Sequence, residues 1–199
     1  MNQDTFQEGI KYLLSVETKF KKLVPKEEIK FFLRPPGFEG ICSLVIEQQI
    51  SVTAAESIKN KVFHLMDNVC SSKFIDLEES LLRSAGLSRP KINYLKGIAE
   101  HEISGKLEFN KINAMNDDEA REYLCRLKGI GNWTADCYLM ACLGRQDIWP
   151  IGDIGLQEGV RKLQDLKERP DINEMLAIAD DWRPYRSVAA NLLWRDYDE

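Results

Sequence analysis

Leu127-Lys128-Gly129-Ile130-Gly131-Asn132-Trp133-Thr134-Ala135 sets two glycines one residue apart between helix-like stretches, and a lone acid follows in Pro150-Ile151-Gly152-Asp153. Glycine has no Cβ and tolerates positive φ, so a backbone with this spacing can bring its N–H groups close to an anion. The helix that follows adds amides without intrahelical acceptors and the positive end of its dipole, which together suit a phosphate. An acid some twenty residues later can act on whatever the phosphate contact has positioned. A nucleic-acid backbone gripped beside a carboxylate points to an enzyme working on DNA.

Outward from that turn the pattern is helical nearly throughout. Residues from about Gln3 to Phe20 carry Phe6, Ile10, Leu13, Leu14 and Val16 at helical spacing. Pro35-Pro36-Gly37 is a break. Helices are predicted from Phe38 to Gln49, from Val52 to Met66, from Ser72 to Leu82 and from Ser88-Arg89-Pro90 onward. Asn116-Asp117-Asp118-Glu119 predicts a capped helix start, and that helix ends at Gly129. The next runs from Asn132 to about Leu143. Another opens at Gly152 or Asp153 and ends before Pro170, and a last one follows Trp182-Arg183-Pro184. Only Phe31-Phe32-Leu33 and Leu107-Glu108-Phe109 are faintly strand-like. The expected architecture is all-α over residues 1–199, as one helical unit of two lobes around a cleft, with the hairpin motif at about 117–143.

Bulk properties narrow the class. At 199 residues and 44% hydrophobic the chain can bury a sizeable core. No apolar run approaches the roughly 18–20 residues that span a bilayer, and Met1-Asn2-Gln3-Asp4 lacks a signal-peptide layout. The five cysteines, Cys42, Cys70, Cys125, Cys137 and Cys142, show no CxxC or Cys/His cluster. They read as reduced thiols rather than disulfides or zinc ligands. A monomeric intracellular protein, in cytoplasm, nucleoid or nucleus, is expected. The net charge of −5 does not favour a non-specific nucleic-acid binder. Bases nonetheless gather at Lys11, Lys19, Lys21, Lys22, Lys26 and Lys30, and again at Arg161, Lys162, Arg183 and Arg186. A local phosphate-binding face can coexist with an acidic remainder, with salt-sensitive affinity.

The nine-residue stretch resembles the hairpin of the helix-hairpin-helix (HhH-GPD) DNA glycosylases, and Asp153 stands where that superfamily keeps its essential aspartate. Three further stretches match in order. Phe38-Glu39-Gly40 through Glu47-Gln48-Gln49-Ile50-Ser51-Val52 resembles the segment bearing Gln-Gln-x-Ser. Leu87-Ser88-Arg89-Pro90-Lys91 is similar to the Gly-Leu-x-x-x-Lys turn. Trp182-Arg183-Pro184-Tyr185-Arg186-Ser187 resembles the Trp-x-Pro-Trp-Arg-Ser signature of the 3-methyladenine DNA glycosylase II branch, with Tyr185 in place of the second Trp. The resemblance covers roughly residues 35–196 and implies a compact form without the N-terminal α/β domain of some members.

That resemblance implies a monofunctional enzyme of base excision repair. It would remove alkylated bases of the 3-methyladenine and 7-methylguanine type from double-stranded DNA and leave an abasic site. Members that also cut the backbone carry a Schiff-base lysine two residues after the last hairpin glycine, and Trp133 stands there instead. No cysteine follows Cys142, so the iron–sulfur loop of other relatives is not expected. Asp153 is the catalytic candidate, and capping a helix is its other reading. Trp133, Trp194, Tyr185, Phe38 and Cys137 are the base-pocket candidates; core packing is the alternative for both tryptophans, and Cys137 replaces a tyrosine found in some relatives. Gln48 or Gln49 would fill the gap left by a flipped nucleotide, or else cap a helix. Gly129, Gly131 and Thr134 would donate amides to a phosphate beside Lys128. Carbonyls of Cys125, Leu127 and Ile130 would ring a structural Na+ or K+, with no further cofactor required. Arg186 and Ser187 would fix the last helix or touch DNA. Two other functions stay open: a non-catalytic helix-hairpin-helix protein that binds damaged DNA, and a glycosylase for deaminated or oxidised bases.

Overall fold

The computed structural model describes residues 1–25, 27, 29–31 and 33–198, and of residues 196–198 the backbone alone. Lys26 of the basic cluster and Phe32 of the strand-like triplet lie outside the described residues. Among the described residues there are helices and no strands. The chain forms two compact units, one from Met1–Leu33 with Leu139–Glu199 and the other from Arg34–Tyr138.

The Arg34–Tyr138 unit is built around α2 (Phe38–Glu47), in which Phe38 and every residue from Gly40 to Ile46 are buried. Around it come α3 (Val52–Phe63), α4 (Ser71–Ile75), α5 (Glu79–Ser84), α6 (Arg89–Ile103), a 3-10 turn at Phe109–Ala114, α7 (Asp117–Cys125) and α8 (Asn132–Ala141), whose last residues belong to the other unit. Helix α6 packs on α2, α4 and α5. Helix α7 starts as its sequence predicts: the Asn116 side chain accepts from the Glu119 amide and Glu119 reciprocates to the Asn116 amide. The predicted helix over 72–82 is two short ones. The chain turns between Asp76 and Glu78, where Lys96 donates to the Leu77 carbonyl at 3.0 Å and satisfies an acceptor that a continuous helix would have used itself. The Leu107-Glu108-Phe109 stretch leads into the 3-10 turn.

The other unit comprises α1 (Gln3–Val16), a 3-10 turn at Thr18–Lys22, α9 (Ile154–Gln164), α10 (Ile172–Asp180) and α11 (Arg186–Asp198). The sequence reading did not predict α10. Its start carries a reciprocal cap between Asp171 and Glu174, directly after Pro170. Helix α11 packs on α1 and α9, and both contacts are close because a glycine sits in each. A Cβ on Gly9 of α1 would lie 2.7 Å from Val188 Cγ2 and 2.9 Å from Tyr185 Cδ1. A Cβ on Gly159 of α9 would lie 3.1 Å from Leu193 Cβ. Trp182 anchors the core, meeting Phe20 and Trp149 edge-on at 5.1 and 5.5 Å.

Two identical substitutions in helix interiors should therefore have opposite signs. Gly9→Ala forces a methyl into Val188 and Tyr185 and should lower stability by about 1 kcal/mol or more. Gly97→Ala, in α6 with nothing within 4 Å of a new Cβ, should raise it by about 0.5–1 kcal/mol. Urea denaturation of the two variants against the wild type checks both.

Candidate functional site

Between α7 and α8 the chain reverses at Leu127–Gly131. Gly129 sits at φ +88°, and a Cβ there would meet the Tyr94 ring at 2.3 Å. Both the dihedral and the space thus demand glycine. Gly131 has ordinary φ and nothing within 4 Å of an added Cβ, so its smallness leaves the backbone open. The Ile130 amide donates to the Leu127 carbonyl at 3.1 Å, and the first backbone bond of α8 runs from Ala135 to the Gly131 carbonyl at 3.0 Å. Amides just ahead of such a first bond, Gly131 and Thr134 among them, are those a helix start leaves without an intrahelical acceptor. Lys128 is exposed beside them.

The two helices of this hairpin are clamped by charge. Arg121 of α7 donates through Nε to Asp136 of α8 at 2.6 Å and through Nη1 to Asp118 at 2.7 Å. Asp136 is only 4% exposed, so its carboxylate is well desolvated, and losing Arg121 would leave a buried charge. The neighbouring Cys125 thiol is pushed up by burial first and by the Asp136 charge second.

The Gln-Gln segment after α2 meets the hairpin within the same unit. Gln48 donates from Nε2 to the Gly129 carbonyl at 3.0 Å and to Thr134 Oγ1 at 2.9 Å. Gln49 is exposed and sits at φ 58°. The two candidate gap-fillers therefore differ: one faces the hairpin and the other faces solvent. Lys91 binds the carbonyls of Ile46 and Gln48 at 2.8 and 2.7 Å.

Asp153 caps α9, with φ −78° and ψ 121°. Its Oδ1 accepts from the Leu156 amide at 2.7 Å and from Trp194 Nε1 at 2.9 Å. Two donors on one oxygen fix the rotamer and hold the carboxyl group at the positive end of the helix. The loop leading to it is held just as closely. Arg186 grips Asp147 through Nε on Oδ1 at 2.7 Å and Nη2 on Oδ2 at 3.0 Å, and Arg183 adds Nη1 on Oδ2 at 2.7 Å. Ser187 accepts from the Ile148 amide at 2.9 Å and donates to the Arg145 carbonyl at 2.7 Å. Arg186 and Ser187 thus fix the start of the last helix to the loop that presents Asp153.

The aromatic candidates divide. Trp194 is half-buried with its indole N–H on Asp153, and Trp133 is half-buried at the start of α8. Phe38 is a core residue, 4% exposed, against Phe74 at 5.4 Å. Tyr185 is half-buried and packs on Tyr12 at 5.4 Å. Cys137 is 5% exposed. Its neighbour Tyr138 is fully buried and accepts from the Gly37 amide at 2.8 Å through its hydroxyl.

Tyr94, Asp136, Arg121 and the bracing roles of Gln48 and Lys91 were missed by the sequence reading. Lys91 and Gln48 were in quoted motifs, but their partners lie 43 to 86 residues away, so no local spacing signals the contact.

Comparison with known proteins gives this geometry a family context. A sequence profile of the HhH-GPD superfamily of base excision DNA repair proteins matches residues 42–184. The DNA-3-methyladenine glycosylase of Bacillus subtilis (strain 168) is 30% identical over 173 residues, which is 81% of this chain and 57% of that protein. DNA-3-methyladenine glycosylase 1 of Schizosaccharomyces pombe (strain 972) is 31% identical over 162 residues, 79% of this chain and 71% of that one. The solved structure of the Schizosaccharomyces pombe 3-methyladenine DNA glycosylase with abasic DNA superposes with a TM-score of 0.86. It is 27% identical and covers 94% of this chain and 95% of its own. The chain spans little more than half the length of the Bacillus protein.

Gly129→Ala should cost about 3 kcal/mol, from the φ penalty and the overlap with Tyr94 together. Gly131→Ala should leave stability within about 1 kcal/mol of the wild type. Guanidinium melts of both variants separate a turn that requires glycine from a generic loop.

Proposed function

Since this chain belongs to the HhH-GPD superfamily of base excision DNA repair proteins, we propose that it is a monofunctional DNA glycosylase for alkylated purines, using Asp153. The observation that carries the reading is the fixed carboxylate. Asp153 Oδ1 is held by the Leu156 amide and by Trp194 Nε1 at the start of α9, a preorganised acid rather than a mobile surface side chain. The similar DNA-3-methyladenine glycosylases support the substrate class.

The chemistry needs few groups. Methylation at N3 or N7 places positive charge on the purine, which then departs with little proton donation from the enzyme. What develops is an oxocarbenium-like sugar, and a nearby carboxylate stabilises it while orienting the attacking water. Asp153 has both tasks. The strand is held through phosphate, by the amides of Gly129, Gly131 and Thr134 with Lys128 beside them. The carbonyls of Cys125, Leu127 and Ile130 are hard oxygen donors on one short turn, of the type a monovalent cation binds. Leu127 has a second lone pair left beside its bond from Ile130. Bound there, Na+ or K+ would add positive charge near the phosphate.

The target base must leave the stack. Trp194, whose indole N–H is on Asp153, offers a surface for a cationic base, since electron-rich rings attract it. Gln49, exposed and next to the engaged Gln48, is the residue for the gap left in the duplex. With Trp133 at the position of the Schiff-base lysine, the product is an abasic site in an intact strand.

Asp153→Asn keeps an oxygen for both the Leu156 and Trp194 donors, so folded stability should change by less than about 1 kcal/mol. Release of 3-methyladenine or 7-methylguanine from methylated duplex DNA should fall by at least about 100-fold, and wild-type strands should break only on alkali treatment. If the wild type binds abasic DNA but frees no base, the chain is a damage-binding module instead. If it breaks strands without alkali, the hydrolase-only assignment is wrong.

A further inference from the structure

The turn that follows α2 is held from two directions. Lys91, in the first turn of α6, carries its ammonium to the carbonyls of Ile46 and Gln48 at 2.8 and 2.7 Å. These acceptors lie at the end of a helix, where carbonyls lack partners and the dipole favours a cation. From the other direction the Gln48 carboxamide uses its two N–H groups on two different acceptors, the Gly129 carbonyl and Thr134 Oγ1. Gly129 and Thr134 flank the backbone that would grip a phosphate. The next residue, Gln49, is exposed at φ 58°, a conformation that a non-glycine residue keeps only where its surroundings impose it.

We propose that Gln48 is a positioning residue that locks the Gln49 turn to the hairpin, so that gap filling and phosphate gripping keep one fixed spacing. This rests on the reading that Gln49 enters the gap left by a flipped nucleotide. Gln48 and Gly129 are 81 residues apart in the chain, so the link is a tertiary contact made by the Gln48 side chain. Alanine removes both bonds. Glutamate keeps the length but presents an acceptor to the Gly129 carbonyl, and two acceptors repel. Thr134→Val keeps the shape of that side chain without its hydroxyl acceptor.

The test compares affinities for a duplex with a tetrahydrofuran abasic site and for the same duplex intact, with thermal melts of every variant. Gln48→Ala and Gln48→Glu should each lower the preference for the abasic duplex by about tenfold. Thr134→Val should lower it by less than Gln48→Ala, because the bond to the Gly129 carbonyl remains. Gln48→Ala should add nothing when Gln49 is already alanine, because it acts through that residue. The proposal is overturned if the preference is unchanged in Gln48→Ala. It is equally overturned if the effects of Gln48→Ala and Gln49→Ala add, or if affinity for both duplexes falls together in step with the melting temperature. If Gln49→Ala itself keeps the full wild-type preference, the gap-filling reading beneath the proposal fails first, and Gln48 has nothing to position.

Discussion

Much of the site hangs on one backbone angle, the positive φ of Gly129 beneath the Tyr94 ring. A side chain there would have to displace an aromatic ring and also sit in a region that L residues rarely occupy. With glycine, α7 can end and α8 can begin within a few residues. The Arg121–Asp136 pair then ties the two helices together, and Gln48 ties the turn after α2 to the same point. The contacts reinforce one another because each group is satisfied by a partner that is itself fixed.

A similar economy appears around Asp153. The residue would be an ordinary helix cap if the Leu156 amide were its whole environment. Trp194 adds a donor from α11, and Arg186 and Ser187, at the start of that helix, grip the loop that precedes the acid. One helix thus supplies both the orienting indole and the anchor for the loop. Capping does not compete with the proposed catalytic role, since the cap is what holds the carboxylate still.

Much of this was legible in sequence, for physical reasons. The hairpin glycines, the Asn116 cap and the Asp153 cap are local signals, written within four residues of where they act. The α10 start was equally local, in Asp171 and Glu174 after Pro170, and went unread because the apolar run behind it is short. The division of 72–82 into two helices depends on Lys96, some twenty residues on. Tyr94 under Gly129, Lys91 on the end of α2 and the choice between Gln48 and Gln49 depend on tertiary contacts that no periodicity encodes. Phe38 shows the converse: the sequence offered it for a pocket, and the structure buries it against Phe74.

The role proposed for Asp153 is to stabilise positive charge at a sugar, and that charge can be varied without any chemistry taking place. The measurement is the affinity for two duplexes that differ at one site, a cationic pyrrolidine abasic mimic in one and neutral tetrahydrofuran in the other. The wild type should bind the cationic duplex more tightly, and Asp153→Asn should lose that difference. Equal affinities in the wild type, or a difference that survives the substitution, would contradict it.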